Sequence, residues 1–535
     1  MWTSVVLIIA LVAGRVASDK FTALVELENI LQQERTLAER LQEYIRVEEQ
    51  RLDQLRDIAA SMQEDNQRMS SDPVAHLGNP VNAFKFVKKL SVEWKEILNT
   101  LVLSNHSENF CRDVNDITQH FPSEDEDYPG TVTAMLRLQD TYALNPNDMA
   151  KGKLPGVKVP AVMSAHDCFE VGRVSYFEGD YYHAVQWMQL ALEHYQDEKE
   201  KTISQAEALD YLSYSTYMQG NLYHARNLTE QWLQLEPEHS RAQSNLAHFE
   251  QAIKEKEEAL AEESRIRVER EAFRNGRFEH DPDAYHATEF FQTYEALCRG
   301  EDVIPIKDAH KLTCQYRVWH PMFTINPLRE ETMNFDPWIA VYHQLMSDKD
   351  IDDIKALATP RLARATVVNS VTGELEFAKY RISKSGWLKD EEHPTVAKIS
   401  NRCSALTNLS LSTVEELQIA NYGIGGHYEP HFDYSRLAEV TSFDHWRGNR
   451  ILTVIFYLSD VEAGGGTVFM TAGTKLRPEK GAAAVWYNLH PDGTGDDETK
   501  HAACPVLTGN KWVANKWFHE RGQEFTRPCG QSPNS

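Results

Sequence analysis

Tyr428-Glu-Pro-His-Phe-Asp433 is the stretch on which the reading of this chain turns. His431 and Asp433 stand two residues apart, so on a strand both side chains leave the same face. One imidazole and one carboxylate can then meet a single metal ion. The spacing alone carries little weight. With 21 His and 80 acidic residues, about three His-x-Asp/Glu triplets arise by chance, and five occur, starting at His106, His248, His427, His431 and His490.

Context separates His431 from the others. Two histidines and one carboxylate leave three coordination positions open, the arrangement non-haem Fe(II) oxygenases use for cosubstrate and oxygen. The second histidine is expected on a later strand of the same barrel. His501 opens such a segment, running through Ala502-Ala-Cys-Pro-Val-Leu507. A turn at Thr508-Gly-Asn510 sends the chain back, and Lys511 opens the returning strand. A 2-oxoglutarate chelated to iron presents its far carboxylate deeper in the barrel, where a cation must meet it. The spacing therefore predicts a metal centre of His431, Asp433 and His501, with Lys511 as the carboxylate partner.

The surrounding region has the composition of a strand-rich domain. Trp338–Tyr342, Arg364–Asn369, Leu417–Tyr422, Ile451–Leu458, Ala482–Tyr487, His501–Leu507 and Trp512–Phe518 all read as strands. Two helices interrupt them, near Asp348–Leu357 and Pro394–Leu406. Many short strands with glycine turns predict a jelly roll.

Upstream, Gly179-Asp-Tyr-Tyr-His-Ala184 is echoed by Gly220-Asn-Leu-Tyr-His-Ala225, 41 residues later. Helical patterns flank each copy, and Glu236-Pro237 closes the second. This is similar to the tetratricopeptide repeat, whose helix pairs stack into a concave peptide groove. Tyr211, Tyr214 and Tyr217 fall at i, i+3 and i+6 of one helix, so their rings share a side. Such rings suit a polyproline II peptide, which is already ordered and presents flat apolar rings. Ordinary packing between helices explains the same spacing equally well.

Near the start, steps of three and four from Leu24 reach Leu27, Leu31, Glu34, Ala38, Leu41, Ile45, Glu48, Leu52, Leu55, Ala59 and Met62; ten of these twelve positions are apolar. That heptad seam predicts a coiled coil that a second copy could cover, against an amphipathic helix packed on its own domain. Before it, Val5–Ala13 is an unbroken apolar run ending in small residues, which predicts a signal peptide cleaved after Ser18. Apart from that leader no long apolar stretch occurs, so no membrane span is expected. The net charge of −25 lacks the basic footprint of a nucleic-acid binder.

Taken with Gly464-Gly-Gly-Thr-Val-Phe469, Trp486-Tyr-Asn488 and Gly509-Asn-Lys-Trp512, these motifs resemble the alpha subunits of collagen prolyl 4-hydroxylases over nearly the whole chain. The resemblance implies a multidomain α and β architecture. Its parts are a signal peptide (1–18), an N-terminal helical, coiled-coil dimerisation domain (19–150), a tetratricopeptide-like peptide-binding domain (160–255), a charged linker and disulfide segment (256–330), and a double-stranded β-helix dioxygenase domain (331–530). It implies Fe(II) on His431, Asp433 and His501, and 2-oxoglutarate on Lys511 with help from the hydroxyls of Tyr422 and Thr467. Tyr428, Arg450, Trp517 and His519 would surround the substrate proline. O2 would be the second cosubstrate and L-ascorbate would keep the iron active.

The same resemblance implies disulfides Cys298–Cys314 and Cys504–Cys529, a free Cys168, and Cys111 and Cys403 as additions. It implies hydroxylation of proline in X-Pro-Gly repeats, in the endoplasmic reticulum lumen, as an α2β2 tetramer with protein disulfide isomerase as the β subunit. That partner would supply the retention signal absent from Gln531-Ser-Pro-Asn-Ser535. Sequons at Asn105 and Asn408 are expected to carry glycans, and the one at Asn227, inside a helical repeat, is not. The chain departs from the family pattern at His427, where Gln is expected, and at His248 and Gln251, where tyrosines are. Rival readings are a collagen-binding chaperone with a dead barrel, disfavoured because no metal ligand is lost, and a prolyl hydroxylase for another proline-rich secreted protein.

Overall fold

The segment Arg450–Tyr457 reads as a near-continuous apolar run, broken only at Arg450 and Thr453, which is what a strand buried on both faces requires. In the computed structural model it is the central strand of the larger of two main sheets, which two short strand pairs accompany. The structure describes residues 23–47, 52–97, scattered positions between 111 and 119, and 121–262, 287–368, 375–436 and 446–533.

The two sheets comprise β1 Cys314–Arg317, β2 Leu328–Phe335, β3 Trp338–His343, β4 Ala363–Arg364, β5 Arg381–Ile382, β6 Lys384–Leu388, β7 Leu417–Tyr422, β8 His427–His431, β9 Arg450–Tyr457, β10 Thr467–Phe469, β11 Thr474–Leu476, β12 Ala483–Tyr487, β13 His501–Ala503 and β14 Lys511–His519. Nine form one sheet in the order β1-β2-β3-β12-β9-β14-β7-β6-β4, and five form the other as β11-β10-β13-β8-β5. The pairs within them are antiparallel. Alternation along β9 divides the core. Leu452, Val454 and Phe456 join one apolar cluster with helix residues such as Ile351 and Ile399. Ile455 and Tyr457 pack on the opposite cluster, with Phe469 of β10 and Trp486 of β12.

The N-terminal seam folds back on itself. Helices α1 (Leu24–Val47) and α2 (Leu52–Ser71) lie side by side, with the Arg35 Nε donating to Asn66 Oδ1 at 3.3 Å and the Asn66 amide donating to the Leu31 carbonyl at 3.4 Å. Leu24, Leu27, Leu31 and Leu41 are buried there, as are Ala59 and Met62. Of the two readings of that seam, its described positions fit helices packed on their own chain. Glu34, one of the two acidic breaks in that seam, is buried and paired with Lys89.

A further helix, α3 (Asp127–Thr141), lies against the turn that precedes β8. A side chain on Gly425 (φ +61°) would strike the Ala134 backbone oxygen at 2.9 Å. The described parts of Met1–Tyr142, Pro155–Val159 and Thr288–Ser535 form one compact unit. The N-terminal helices and the strand-rich region, read from sequence as separate domains, are thus packed together.

A second unit spans Ala143–Leu154 and Pro160–Ala287. Its longer helices are α4 (Ala165–Phe177), α5 (Tyr181–Asp197), α6 (Gln205–Met218), α7 (Leu222–Leu235) and α8 (Ser240–Glu262). The echoed motif is the turn within each helix pair. Gly179 and Gly220 take φ +81° and +80°, which favours glycine. Asp180 and Asn221 then cap the next helix, accepting from the His183 and His224 amides.

The cysteine pairing departs from expectation. Cys298 is bonded to Cys504, with Cα atoms 5.5 Å apart, while Cys314 and Cys529 are free and exposed. The reason is packing. Helix α9 (Glu289–Cys298) buries Phe291, Tyr294 and Leu297 against Val468, Met470 and Ala502, which brings its last residue to the end of β13. Cys314 opens an edge strand of the other sheet.

Candidate metal and cosubstrate site

The strand β8 does not run straight through the motif. Tyr428 pairs with Ala503 and His431 with His501, so β8 spends one residue more than its partner between the two pairs. Pro430 sits in that bulge, where its missing N–H costs no ladder bond. A bulge re-aims side chains, and here it puts Tyr428 and His431 on one side, their ring centroids 3.5 Å apart. Asp433 follows in the bend after the strand rather than on it.

The ligand atoms of His431, Asp433 and His501 lie within 4.8 Å of one another. His431 Nε2 is 3.8 Å from Asp433 Oδ1, and His501 Nε2 is 3.7 Å from Oδ2. Each ring's Nδ1 faces a backbone carbonyl, Glu429 at 2.8 Å and Thr499 at 3.0 Å. Donation of Nδ1–H there leaves both Nε2 lone pairs for a metal. Thr453 of β9 donates to Asp433 Oδ2 at 2.8 Å and in turn accepts from the Asn488 amide. Burial and the neighbouring His501 push the His431 imidazole down, toward its neutral, metal-ready form. Burial would raise the Asp433 carboxyl, but His501 and His431 hold it below its usual range. This donor set fits Fe(II).

Lys511, at the start of β14, pairs in register with Tyr422 at the end of β7. It is 1% exposed, and its ammonium lies 5.1 Å from the centre of the Tyr422 ring. No carboxylate among the described residues pairs with it, and burial alone pulls its pKa down to about 7. Gly465 stands beside it, so close that a Cβ there would lie 3.4 Å from Lys511 Cδ. A buried cation without an anion fits a carboxylate ligand such as the far end of 2-oxoglutarate. The Thr467 hydroxyl accepts from Tyr457 at 3.0 Å, a buried tyrosine that sequence reading did not single out.

Three of the four residues expected around a substrate, Arg450, Trp517 and His519, are held as a group. Arg450 reaches the Asp433 carbonyl at 3.3 Å and lies 4.1 Å from the centre of the Trp517 ring. Its Nε and second amino group grip Glu415 at 2.5 and 2.9 Å. His519 Nε2 is 2.9 Å from the same carboxylate, and its Nδ1 is 2.6 Å from the Gly448 carbonyl. Burial would raise the Glu415 carboxyl, yet Arg450 and His519 hold it down to about 2. Glu415 was missed in the sequence because no motif surrounds it. A second omission is Arg381, whose guanidinium lies 4.8 Å from the centre of the Tyr428 ring. Replacing Glu415 by Gln is expected to destabilise this unit by ~3–5 kcal/mol, because it leaves Arg450 buried without its anion. Calorimetry checks this: an unchanged Tm would show that Arg450 and His519 hold their places without it.

His427 is buried and turned from the metal cluster: its Nδ1 faces the Gly425 carbonyl at 3.1 Å. Arg137 of α3 donates to that same carbonyl at 3.2 Å. Tyr142 donates to the Pro505 carbonyl at 2.5 Å, and its hydroxyl would block any side chain at Gly464. The N-terminal region thus braces the turn before His431 and the chain after His501.

In the other unit the groove tyrosines join a row of half-buried rings. Tyr211 and Tyr214 lie 4.9 and 5.8 Å from Tyr176, Tyr217 stacks on Phe249 at 4.6 Å, and His248 bonds the Tyr217 hydroxyl at 3.0 Å. Asn408 is exposed at the end of a helix; Asn105 and residues 1–18 lie outside the described residues.

Residues 23–156 match the prolyl 4-hydroxylase alpha-subunit N-terminal region, 165–255 the prolyl 4-hydroxylase peptide-substrate-binding domain, and 417–519 the 2OG-Fe(II) oxygenase superfamily. Prolyl 4-hydroxylase subunit alpha-1 of Homo sapiens is 44% identical over 516 residues, covering 95% of each chain. The chain belongs to the prolyl 4-hydroxylase alpha-subunit family. Prolyl 4-hydroxylase subunit alpha-2 of Caenorhabditis elegans is 43% identical over 98% of this chain and 96% of its own. The structure of a viral collagen prolyl hydroxylase from Paramecium Bursaria Chlorella virus-1 matches 34% of this chain and 94% of its own at 26% identity, with a TM-score of 0.27.

As a prolyl 4-hydroxylase alpha subunit the protein is an Fe(II)- and 2-oxoglutarate-dependent dioxygenase that hydroxylates proline. Bound together, these two groups supply the oxidising power that O2 alone lacks toward a ring C–H bond. The chain's own part is to position them. His431, Asp433 and His501 would hold the metal on one side only, and Lys511 would fix the cosubstrate's far end. Arg450, locked by Glu415, presents a rigid polar edge beside Asp433.

Proposed function

We propose that this prolyl 4-hydroxylase alpha subunit acts on collagen-like X-Pro-Gly chains in the endoplasmic reticulum lumen, as the catalytic half of an α2β2 tetramer with protein disulfide isomerase. Ascorbate restores its iron after turnovers without substrate, and each hydroxylation places one atom of O2 on the proline and the other in the succinate that 2-oxoglutarate yields on losing CO2. The observation that carries the substrate reading is the row of half-buried rings Tyr176, Tyr211, Tyr214 and Tyr217, backed by the buried Phe249. A polyproline II chain presents a flat apolar ring at each proline, and it gives up little entropy on docking. The apolar leader ending at Ser18 supports entry to the secretory pathway. No helix among the described residues is long and apolar enough to cross a membrane.

The test is iron-dependent succinate release with a (Pro-Pro-Gly) repeat peptide. Release with this peptide and none with a proline-rich peptide lacking glycine supports the collagen reading; the reverse favours another proline-rich substrate. Tyr214→Ala is expected to raise KM for long repeats by roughly tenfold while leaving kcat and single-triplet peptides unchanged. The groove and barrel belong to separate units of one chain, so only a long substrate gains effective concentration from holding both. Equal losses on long and short peptides would make the tyrosines core packing.

A further inference from the structure

Behind the site, on the outer face of the nine-stranded sheet, lies a cavity of about 480 Å³. Strand alternation sets it apart from the iron ligands. Leu452, Val485 and Tyr487 line it, whereas Thr453 and Trp486, their neighbours along the same strands, face Asp433 and His501. Trp319 and Trp338 form its walls, and Trp319 stays 45% exposed with its indole N–H donating to the Ala405 carbonyl at 3.2 Å. At its polar end the Glu330 carboxylate, 5% exposed, accepts from Arg317 and Tyr342. The volume falls in the range that encloses a small ligand.

One further residue of the wall is Asn408. It closes the helix Pro394–Thr407 in a left-handed conformation (φ 58°), its side chain is exposed, and it opens the sequon Asn408-Leu-Ser410. A glycosylation acceptor is therefore built into the rim of an aromatic cleft. We propose that Asn408 carries an N-linked glycan whose first two N-acetylglucosamine rings lie in this cleft. Pyranose rings present C–H faces that stack on indoles, while their hydroxyl and acetamido groups find donors and acceptors in Arg317 and Glu330. The bond forms on the nascent chain, between the Asn408 amide nitrogen and C1 of the first sugar. A lipid pyrophosphate departs, and the amide gives up one proton. An attached ligand meets its cleft at high effective concentration, so weak stacking suffices to hold it. The sugar then covers apolar surface that the folded chain leaves open.

This inference rests on the reading that the chain is secreted, and the experiment separates the two. The full chain is made in mammalian cells and its peptides are mapped by mass spectrometry. An N-terminus at Asp19 with glycosylated Asn408 is expected. Bare Asn408 behind a cleaved leader overturns the glycan and leaves secretion standing; an uncleaved leader with every sequon bare overturns both. Docking is read from the rate at which peptide-N-glycosidase removes the Asn408 glycan. Release from native protein is expected to be slower than from denatured protein by roughly tenfold. Trp319→Ala should largely abolish the difference, and Phe525→Ala, at an exposed ring elsewhere, should keep it. If Trp319→Ala does not fold, Arg317→Ala is read in its place. Equal native and denatured rates, or protection that survives these wall substitutions, overturn the docking.

Discussion

Asp433→Ala is expected to lower succinate release by more than the ten- to hundredfold that loss of an outer partner of a metal ligand costs. Asp433 is the only anion among the three ligands, and Thr453 holds its second oxygen in place. Without it, two imidazoles remain to meet a dication. The barrel itself should survive, since Leu452, Val454 and Phe456 of β9 pack away from the ligands. Metal titration of the purified variant by calorimetry, together with its Tm, distinguishes a lost site from a lost fold. His501→Ala should behave alike, and normal turnover in that variant would sink the assignment of the metal centre.

Lys511→Ala is expected to weaken 2-oxoglutarate by a few hundredfold or more, because a buried carboxylate left without its cation costs ~3–5 kcal/mol. Metal affinity should change far less. Arginine at this position should not restore binding, since its planar fork does not fit a site shaped for an ammonium. The pH dependence has a definite sign. Burial holds the free Lys511 near pKa 7, so above that pH it is neutral until an anion arrives. Affinity for a dicarboxylate analogue should therefore fall about tenfold per pH unit above neutrality, with proton uptake on binding. Calorimetry in two buffers of different ionisation enthalpy measures that uptake. Equal losses of metal and 2-oxoglutarate affinity in the alanine variant would contradict the role given to Lys511.

Much of the catalytic region was legible because its signals are local. The strands Leu417–Tyr422 and Arg450–Tyr457 announce themselves by composition, and Thr508-Gly-Asn510 announces a turn. The offset from His501 to Lys511 is short, and the turn between them carries the chain from the five-stranded sheet to the nine-stranded one. Glu415 was illegible for the opposite reason. It meets Arg450 and His519 across 35 and 104 residues of chain, and nothing beside it in sequence marks it.

The sequence alone determined which residue types could make a metal and carboxylate site, where the strands run, and that a helical repeat lies upstream. Periodicity and turn chemistry act over a few residues, so they can be read without the fold. Three things were decided only by tertiary structure. The bulge at Pro430 stacks Tyr428 on His431, because register depends on the partner strand. The heptad seam closed on itself, because periodicity says that a stripe must be covered but not by what. Cys298 bonded Cys504 instead of its nearer neighbour in sequence, because a disulfide joins whichever thiols packing brings within reach, and α9 docks on β10 and β13.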